Sequence, residues 1–371
     1  MFQVHLWSGL PLGLYVLVIG LSGSVLVFEP ELEALEYPQY FAIADTGTTL
    51  ADPAIVLRNV QAAYPGFRVG SVNWPAPQRN SFVSYPSKGQ DIRTVFAHPV
   101  SGEVLGELPD DGFARWMWNL HVYLLSGRIG LKVSGALTGC LIIVALTGLV
   151  LWWPGLVRWS RALMVDFGRG WKRITWELHS AVGFWTMLVL LLWSITGIYL
   201  AFPQGFRAVL TKVSPLSTRA RPVSDPARRE TSPLPEPRRL VERALGAVPG
   251  SYPARYTAAV GDRGSIVVVV DRDVIGDRVV SGETWVHFDR YDGRLLGIRP
   301  QVGESAGDLL MAWMFPLHAG WFAGLGIKIL WAILGLSFPV LVVTGTIMWW
   351  NRVITPKRVE INQQDRSRRS A

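Results

Sequence analysis

Four long apolar runs divide the chain, at residues 10–28, 131–153, 177–202 and 327–350. A helix crosses a hydrocarbon core with roughly 20 apolar residues, so each run predicts a membrane span. The first run has the length of a signal peptide as well. It lacks a basic segment before it, and it reads as a retained helix. The polar stretches between the runs have a different period. Residues 52–64 show helical spacing, with Asp52 as cap and Pro53 in the first turn. Alternating strands follow near 68–74, 81–85, 94–97 and 103–108, with a turn at 99–102. Residues 235–308 repeat that plan, with a helix at 236–245, strands at 265–270 and 284–288, and a turn at 289–294.

The pattern gives a membrane all-α core of four transmembrane helices, in two repeated pairs, carrying two α+β units. Its segments are a first span (1–29), a soluble unit (30–112) and an amphipathic approach with the second span (113–154). A basic loop (155–176) and a third span (177–203) come next. A Pro-rich flexible linker with the second soluble unit (204–311), another amphipathic approach and span (312–351) and a basic tail (352–371) complete the chain.

The repeat is visible residue by residue. Residues 116–153 recur at 313–350, which pairs His121 with His318, Thr147-Gly148 with Thr344-Gly345, and Trp152-Trp153 with Trp349-Trp350. A second repeat pairs His5 with His179, Gly9 with Gly183, Ser22-Gly23 with Thr196-Gly197, and Phe28 with Phe202. Apolar segments resemble one another by composition. A histidine at matching depth in four of them is a far rarer coincidence, and four of the six histidines open a hydrophobic segment.

Composition narrows the class. Half of the residues are hydrophobic, mean hydropathy is +0.26 and there are 17 Trp, which fits membrane helices joined to sizeable soluble parts. The single Cys140 excludes an internal disulfide and a Cys-ligated metal cluster. The net charge of +8 is not gathered into a basic, aromatic-interleaved block, so no nucleic-acid partner is expected. Arg158, Arg161, Arg169, Lys172 and Arg173 face only Asp166 in the short loop, which the positive-inside rule places in the cytoplasm. Both termini are then cytoplasmic, and both soluble units lie outside, in the periplasm of a bacterium. No strand leads into a G-x-G-x-x-G and there is no P-loop. Electrons for any redox chemistry must come from a separate donor, a cytoplasmic protein or a membrane quinol.

By this topology His5 and His179 lie near the inner face, and His121 and His318 near the outer face. Ionisable side chains at membrane depth point to function. Two neutral imidazoles on facing helices are the donor set for bis-His ligation of a haem iron, with one ligand from each helix. Gly9, Gly13, Gly135, Gly139, Gly183, Gly320 and Gly324 are candidates for the places where a flat ring passes. Two histidines without Cys or a matched carboxylate make a poor zinc site. His98 and His287, near turns of the soluble units, read as surface residues without a special role. Trp116, Trp118, Trp313 and Trp321 read chiefly as interfacial anchors.

Together these residues resemble a known family. His5-Leu6-Trp7-Ser8-Gly9, the run ending Leu21-Ser22-Gly23-Ser24, and the Pro99-Val100-Ser101-Gly102-Glu103-Val104-Leu105-Gly106 turn look like the PepSY-associated transmembrane proteins. That family includes iron-regulated inner-membrane proteins and ferric-siderophore reductases, and the resemblance covers nearly the whole chain. It implies PepSY-like α+β units in the periplasm and a membrane core holding two b-type haems, with His5 and His179 as one ligand pair and His121 and His318 as the other. It also implies reduction of a ferric siderophore on the periplasmic side. His98-Pro99 departs from the Asp-Pro usual at the turn. Two other readings remain: a membrane-anchored PepSY binding module without redox chemistry, and a transporter built on the repeat. The transporter reading is weakened by unbroken helices and by parallel repeats.

Overall fold

The computed structural model describes residues 1–44, 49–76, 79–89, 91–153, 159, 163–216, 221–229, 236–272, 283–300 and 305–355. Its helices are α1 (Phe2–Leu26), α2 (Glu29–Glu36), α3 (Pro38–Phe41), α4 (Pro53–Ala63), α5 (Phe113–Tyr123), α6 (Gly127–Trp152), α7 (Trp171–Ala201), α8 (Pro203–Leu210), α9 (Pro237–Ala247), α10 (Ala306–Ala319) and α11 (Gly324–Trp349). The strands are β1 (Ser71–Asn73), β2 (Phe82–Ser84), β3 (Ser87–Lys88), β4 (Asp91–Ile92), β5 (Val95–Ala97) and β6 (Val104–Glu107), then β7 (Tyr252–Thr257), β8 (Ile266–Asp271), β9 (Thr284–Phe288) and β10 (Leu295–Pro300).

Helices α1, α6, α7 and α11 are long and apolar enough to cross a membrane. They stay apolar on the side turned away from the bundle, where Leu14, Val150, Leu188 and Ile333 are exposed. A helix hydrophobic all round needs lipid or protein on every side. Each packs against two neighbours, α1 and α7 both touching α6 and α11, so α1 and α7 stand on the diagonal of a four-helix ring. Tyr15 ties α1 to α6 by donating to the Ser134 carbonyl at 3.0 Å. Ser24 ties α1 to α11 through the Ala332 carbonyl at 3.0 Å. At that second crossing, a Cβ on Gly20 would lie 3.0 Å from the Gly335 carbonyl, so small residues let the two backbones approach.

By connectivity one end of the bundle carries the soluble part and the other the 155–170 loop; these are called the sheet end and the loop end below. The two expected α+β units are joined into one eight-stranded antiparallel sheet, in the order β10-β9-β8-β7-β1-β2-β5-β6. Each unit contributes a helix and four of these strands. The seam is β1 against β7, with Ser71 opposite Thr257 and Asn73 opposite Arg255. This pairing leaves neither strand with an open edge. Val56 and Val60 of α4 and Leu240 and Ala244 of α9 cover one face and bury Val72, Phe82, Val268, Val286 and Phe288. Asp52 caps α4 as expected, its Oδ1 accepting from the Ala54 amide at 2.8 Å.

Several elements differ from the sequence expectation. Strand β7 was not expected, because Pro253 interrupts its alternation; the register shifts between Pro253 and Arg255 and pairing continues past the bulge. The β3–β4 hairpin and the short helices α2 and α3 carry too little periodicity to announce themselves. Residues 221–229, expected as flexible linker, are docked on the second unit. Ser224 donates to the Gly264 carbonyl at 2.8 Å and accepts from the Arg290 amide at 2.9 Å. Arg158 and Arg161 of the basic loop, linker residues 217–220 and 230–235, and the tail from Lys357 onward lie outside the described residues.

Candidate functional site

All four span-associated histidines face one another in the two expected pairs. His5 of α1 and His179 of α7 come from the diagonal helices at the loop end, with ring centres 6.4 Å apart. His121 of α5 and His318 of α10 meet at the sheet end, with ring centres 6.1 Å apart. The helices carrying the second pair are anchored at their starts. Glu36 caps α5 by accepting from the Phe113 amide at 2.8 Å. Ser305 and Asp308 form a capping box on α10.

Each imidazole rests in the same cradle, a hydroxyl residue followed by glycine on another helix. His121 Nδ1 lies 3.0 Å from Ser22 Oγ, and a Cβ on Gly23 would stand 2.9 Å from its Cε1. His5 Nδ1 lies 3.1 Å from the Val144 carbonyl and 3.3 Å from Thr147 Oγ1, with Gly148 at 3.0 Å by the same measure. His179 Nδ1 lies 3.0 Å from Thr344 Oγ1, with Gly345 at 3.2 Å. His318 Nδ1 lies 2.8 Å from Thr196 Oγ1, with Gly197 at 3.6 Å. The four dipeptides are those that the repeat pairs in sequence. Sequence reading aligned them without seeing their use; the signal was a constant spacing of 17 residues from His5 to Ser22 and from His179 to Thr196.

The hydroxyls decide the tautomer. A hydroxyl has one proton to donate. Ser22, Thr147, Thr196 and Thr344 each direct it to the carbonyl four residues back, at 2.6, 2.8, 2.8 and 2.6 Å respectively. Each hydroxyl then accepts from the imidazole, so Nδ1 carries the hydrogen and Nε2 keeps its lone pair. Among the described residues no hydrogen bond is made by Nε2 of any of the four. A metal held by two imidazole nitrogens at about 2 Å each, with each ring centre about 1 Å further out, sets the ring centres roughly 6 Å apart. Both pairs have that separation.

A cavity of about 620 Å³ opens around His5 and His179, inside the roughly 300–1,000 Å³ typical of cofactor sites. Gly9, Gly13 and Gly183 line it, as a flat occupant requires. Two other candidate glycines serve elsewhere. Gly135 packs closely on Ala201 and Phe202, and Gly320 ends α10 in the left-handed conformation, at φ 73°, against Trp331. Trp321 is buried rather than interfacial, donating to the Val27 carbonyl at 2.8 Å. An aromatic file links the two layers. Phe338 lines the cavity and lies 5.6 Å from Trp193, which lies 6.1 Å from Trp331. Trp331 donates to the carbonyl of Leu317, the residue before His318. Sequence reading also passed over Lys328 in the fourth span, which is buried and paired with Glu31 at 2.7 Å.

The remaining histidines are structural. His98 Nδ1 accepts from the Val100 and Ser101 amides, both at 3.2 Å. Asp289 holds the equivalent turn of the second unit by accepting from the Tyr291 amide at 2.9 Å. His287 is buried in β9 rather than on the surface, within 3.0 Å of Ser265 Oγ. Burial, and then the charges of Arg299 and Arg221, push its pKa down to about 4.

No curated protein matches the chain. The PepSY-associated TM region does match, over residues 2–352, taking in all four spans, both histidine pairs and the whole sheet, and the chain belongs to that family.

Proposed function

We propose that this protein is a dihaem b-type electron-transfer protein of the bacterial inner membrane, a ferric-chelate reductase whose acceptor is a ferric siderophore in the periplasm. The loop end is then cytoplasmic and the sheet end periplasmic, with electrons entering from a cytoplasmic protein or a membrane quinol. The observation that carries the reading is the fourfold cradle. Four imidazoles, in two facing pairs, are each fixed with Nδ1 protonated and Nε2 free at the separation that a shared iron requires.

His5 and His179 would hold the loop-end haem, and His121 and His318 the sheet-end haem. Paired imidazoles give haem b a one-electron ferric–ferrous couple. The chain's own residues supply the rest. The hydroxyls orient the rings, the glycines let each ring lie against a helix, and the apolar lining keeps water from the site. His5 and Ser22 are 17 residues apart on one helix, which separates the layers by about 25 Å and divides the crossing into steps. At the sheet end the acceptor is substrate. Ferrous iron is a poorer match than ferric iron for hydroxamate or catecholate oxygens, so one electron loosens the chelate.

The test is an absorption spectrum of the detergent-purified protein, oxidised and dithionite-reduced, with haem quantified per chain. A sharp reduced α-band and two haems per chain are expected. His121→Ala removes the sheet-end haem and spares the other, and His179→Ala does the reverse; equal loss of both haems in either variant overturns the two-layer assignment. A colourless protein from haem-replete cells would leave a membrane-anchored regulatory module as the reading.

A further inference from the structure

The loop-end cavity is not polar all round. Its deep lining is apolar, with Leu12, Leu141, Leu190 and Phe338, whereas the two cations that line it, Lys172 and Arg352, belong to the loop-end stretches of their helices. Lys172 precedes His179 by seven residues on α7, and Arg352 follows Gly345 by seven at the end of the fourth span. Both therefore stand two helical turns, about 10 Å, to the loop side of the imidazole pair. Among the described residues neither cation lies in an ion pair. The nearby carboxylates are engaged elsewhere, Glu177 with Arg173 at 2.7 Å and Asp166 with Arg169 at 2.9 Å. The Arg352 guanidinium lies 4.2 Å over the Phe2 ring, and both residues line the cavity.

We infer that Lys172 and Arg352 form an acid-recognition site at the mouth of this cavity, which binds the carboxylate edge of the flat ring held by His5 and His179 and fixes which way round that ring sits. The inference rests on the haem reading of the site, for which the carboxylates are the two propionates. A ring entered in the reverse sense would bury its carboxylates against leucines, and an unpaired charge in such surroundings is strongly disfavoured. An Arg edge and a Lys head at the rim instead give charge-assisted hydrogen bonds while the ring body stays in the apolar part. Lys172 and Arg352 are positioning residues, acting on the cofactor's arms and not on its iron.

The experiment uses full-length protein from haem-depleted cells, titrated in detergent with haemin and with haemin dimethyl ester, which lacks the negative charges. Wild type should take two haemins per chain and bind the ester more weakly at one site. In K172E/R352E the loop-end site should bind haemin at least about tenfold more weakly, a difference of about 1.4 kcal/mol. The same variant should bind the ester no worse than wild type does, and the sheet-end site should fill normally, which reports an intact fold. Two haemins bound as tightly as in wild type, or equal losses for haemin and the ester, would overturn the acid-recognition site while leaving the haem reading standing. A wild-type protein that takes up neither compound would instead overturn the haem reading.

Discussion

Thr344 makes one choice for His179 that the imidazole cannot make for itself. Its hydroxyl proton is committed to the Val340 carbonyl at 2.6 Å, so the oxygen that meets Nδ1 can only accept. Thr344→Val keeps the shape and leaves that N–H without its hydroxyl partner. Losing such a second partner typically lowers metal affinity by about 10–100-fold. Under the haem reading, Thr344→Val should make the loop-end haem labile to a haem-scavenging globin while the sheet-end haem stays, and Thr344→Ser should behave as wild type. The glycines permit a graded test of the same cradle. An added Cβ would stand 2.9 Å from His121 at Gly23, 3.0 Å from His5 at Gly148, 3.2 Å from His179 at Gly345 and 3.6 Å from His318 at Gly197. Contacts near 3 Å force the ring to move and one at 3.6 Å does not. Gly23→Ala should therefore cost the sheet-end haem and Gly197→Ala should retain both, as read by pyridine haemochrome per chain. If Gly197→Ala loses haem as readily as Gly23→Ala, crowding of the ring is not what the glycines prevent.

Among the elements, the paired turns of the sheet explain a departure visible in the sequence. His98 stands where the second unit has Asp289, and its Nδ1 takes the amide two residues on, as an Asp289 oxygen does there, together with the next amide of the turn. His98→Asp should therefore leave the melting temperature of the full-length protein near wild type, whereas His98→Ala should cost about 1 kcal/mol, because two amides lose their acceptor. His287, buried in β9, makes folding sensitive to pH. Its folded pKa, about 4, lies below the unfolded value near 6.5, so the unfolded chain binds the proton more readily. Its contribution is present above pH 6.5 and is lost as pH falls toward 4, on the order of 3 kcal/mol in all. His287→Gln should flatten the decline in melting temperature between pH 6.5 and 4.5; an unchanged slope would assign that decline to other groups. Such elements are legible to different degrees. Helix α4 was readable from Asp52, Pro53 and its apolar spacing, and the spans from length alone. Strand β7 was not, because Pro253 breaks the alternation and the bulge that restores it is a pairing event with β8. The seam between β1 and β7 joins residues far apart in sequence, and no local pattern encodes it.

At the scale of the molecule, two similar halves close into one ring of helices, and the sequence repeat showed which histidines belong together before any contact was known. It could not show the crossing of roles. The diagonal helices α1 and α7 carry a histidine of the loop-end pair and a cradle for the sheet-end pair, whereas α6 and α11 carry the cradles for the loop-end pair. That depends on the packing order of the ring, which hydrophobic faces alike on all four spans leave undetermined. Nor could it show that Phe338, Trp193 and Trp331 stand in file between the layers, since each looks in sequence like one more core aromatic. Among the described residues the buried indole N–H of Trp193 has no hydrogen-bond partner, a cost that packing alone does not require. Under the haem reading this file stands between the two sites, Phe338 lining the loop-end cavity and Trp331 hydrogen-bonded to the residue before His318. Trp193→Leu should then leave haem content and both reduced spectra as in wild type, and should slow the second phase when reduced protein is mixed with a ferric chelate. The first phase, which empties the sheet-end site, should keep its rate. If both phases keep wild-type rates, electrons cross the bundle by another route and Trp193 is packing alone; if both slow together, the substitution has disturbed the sheet-end site itself.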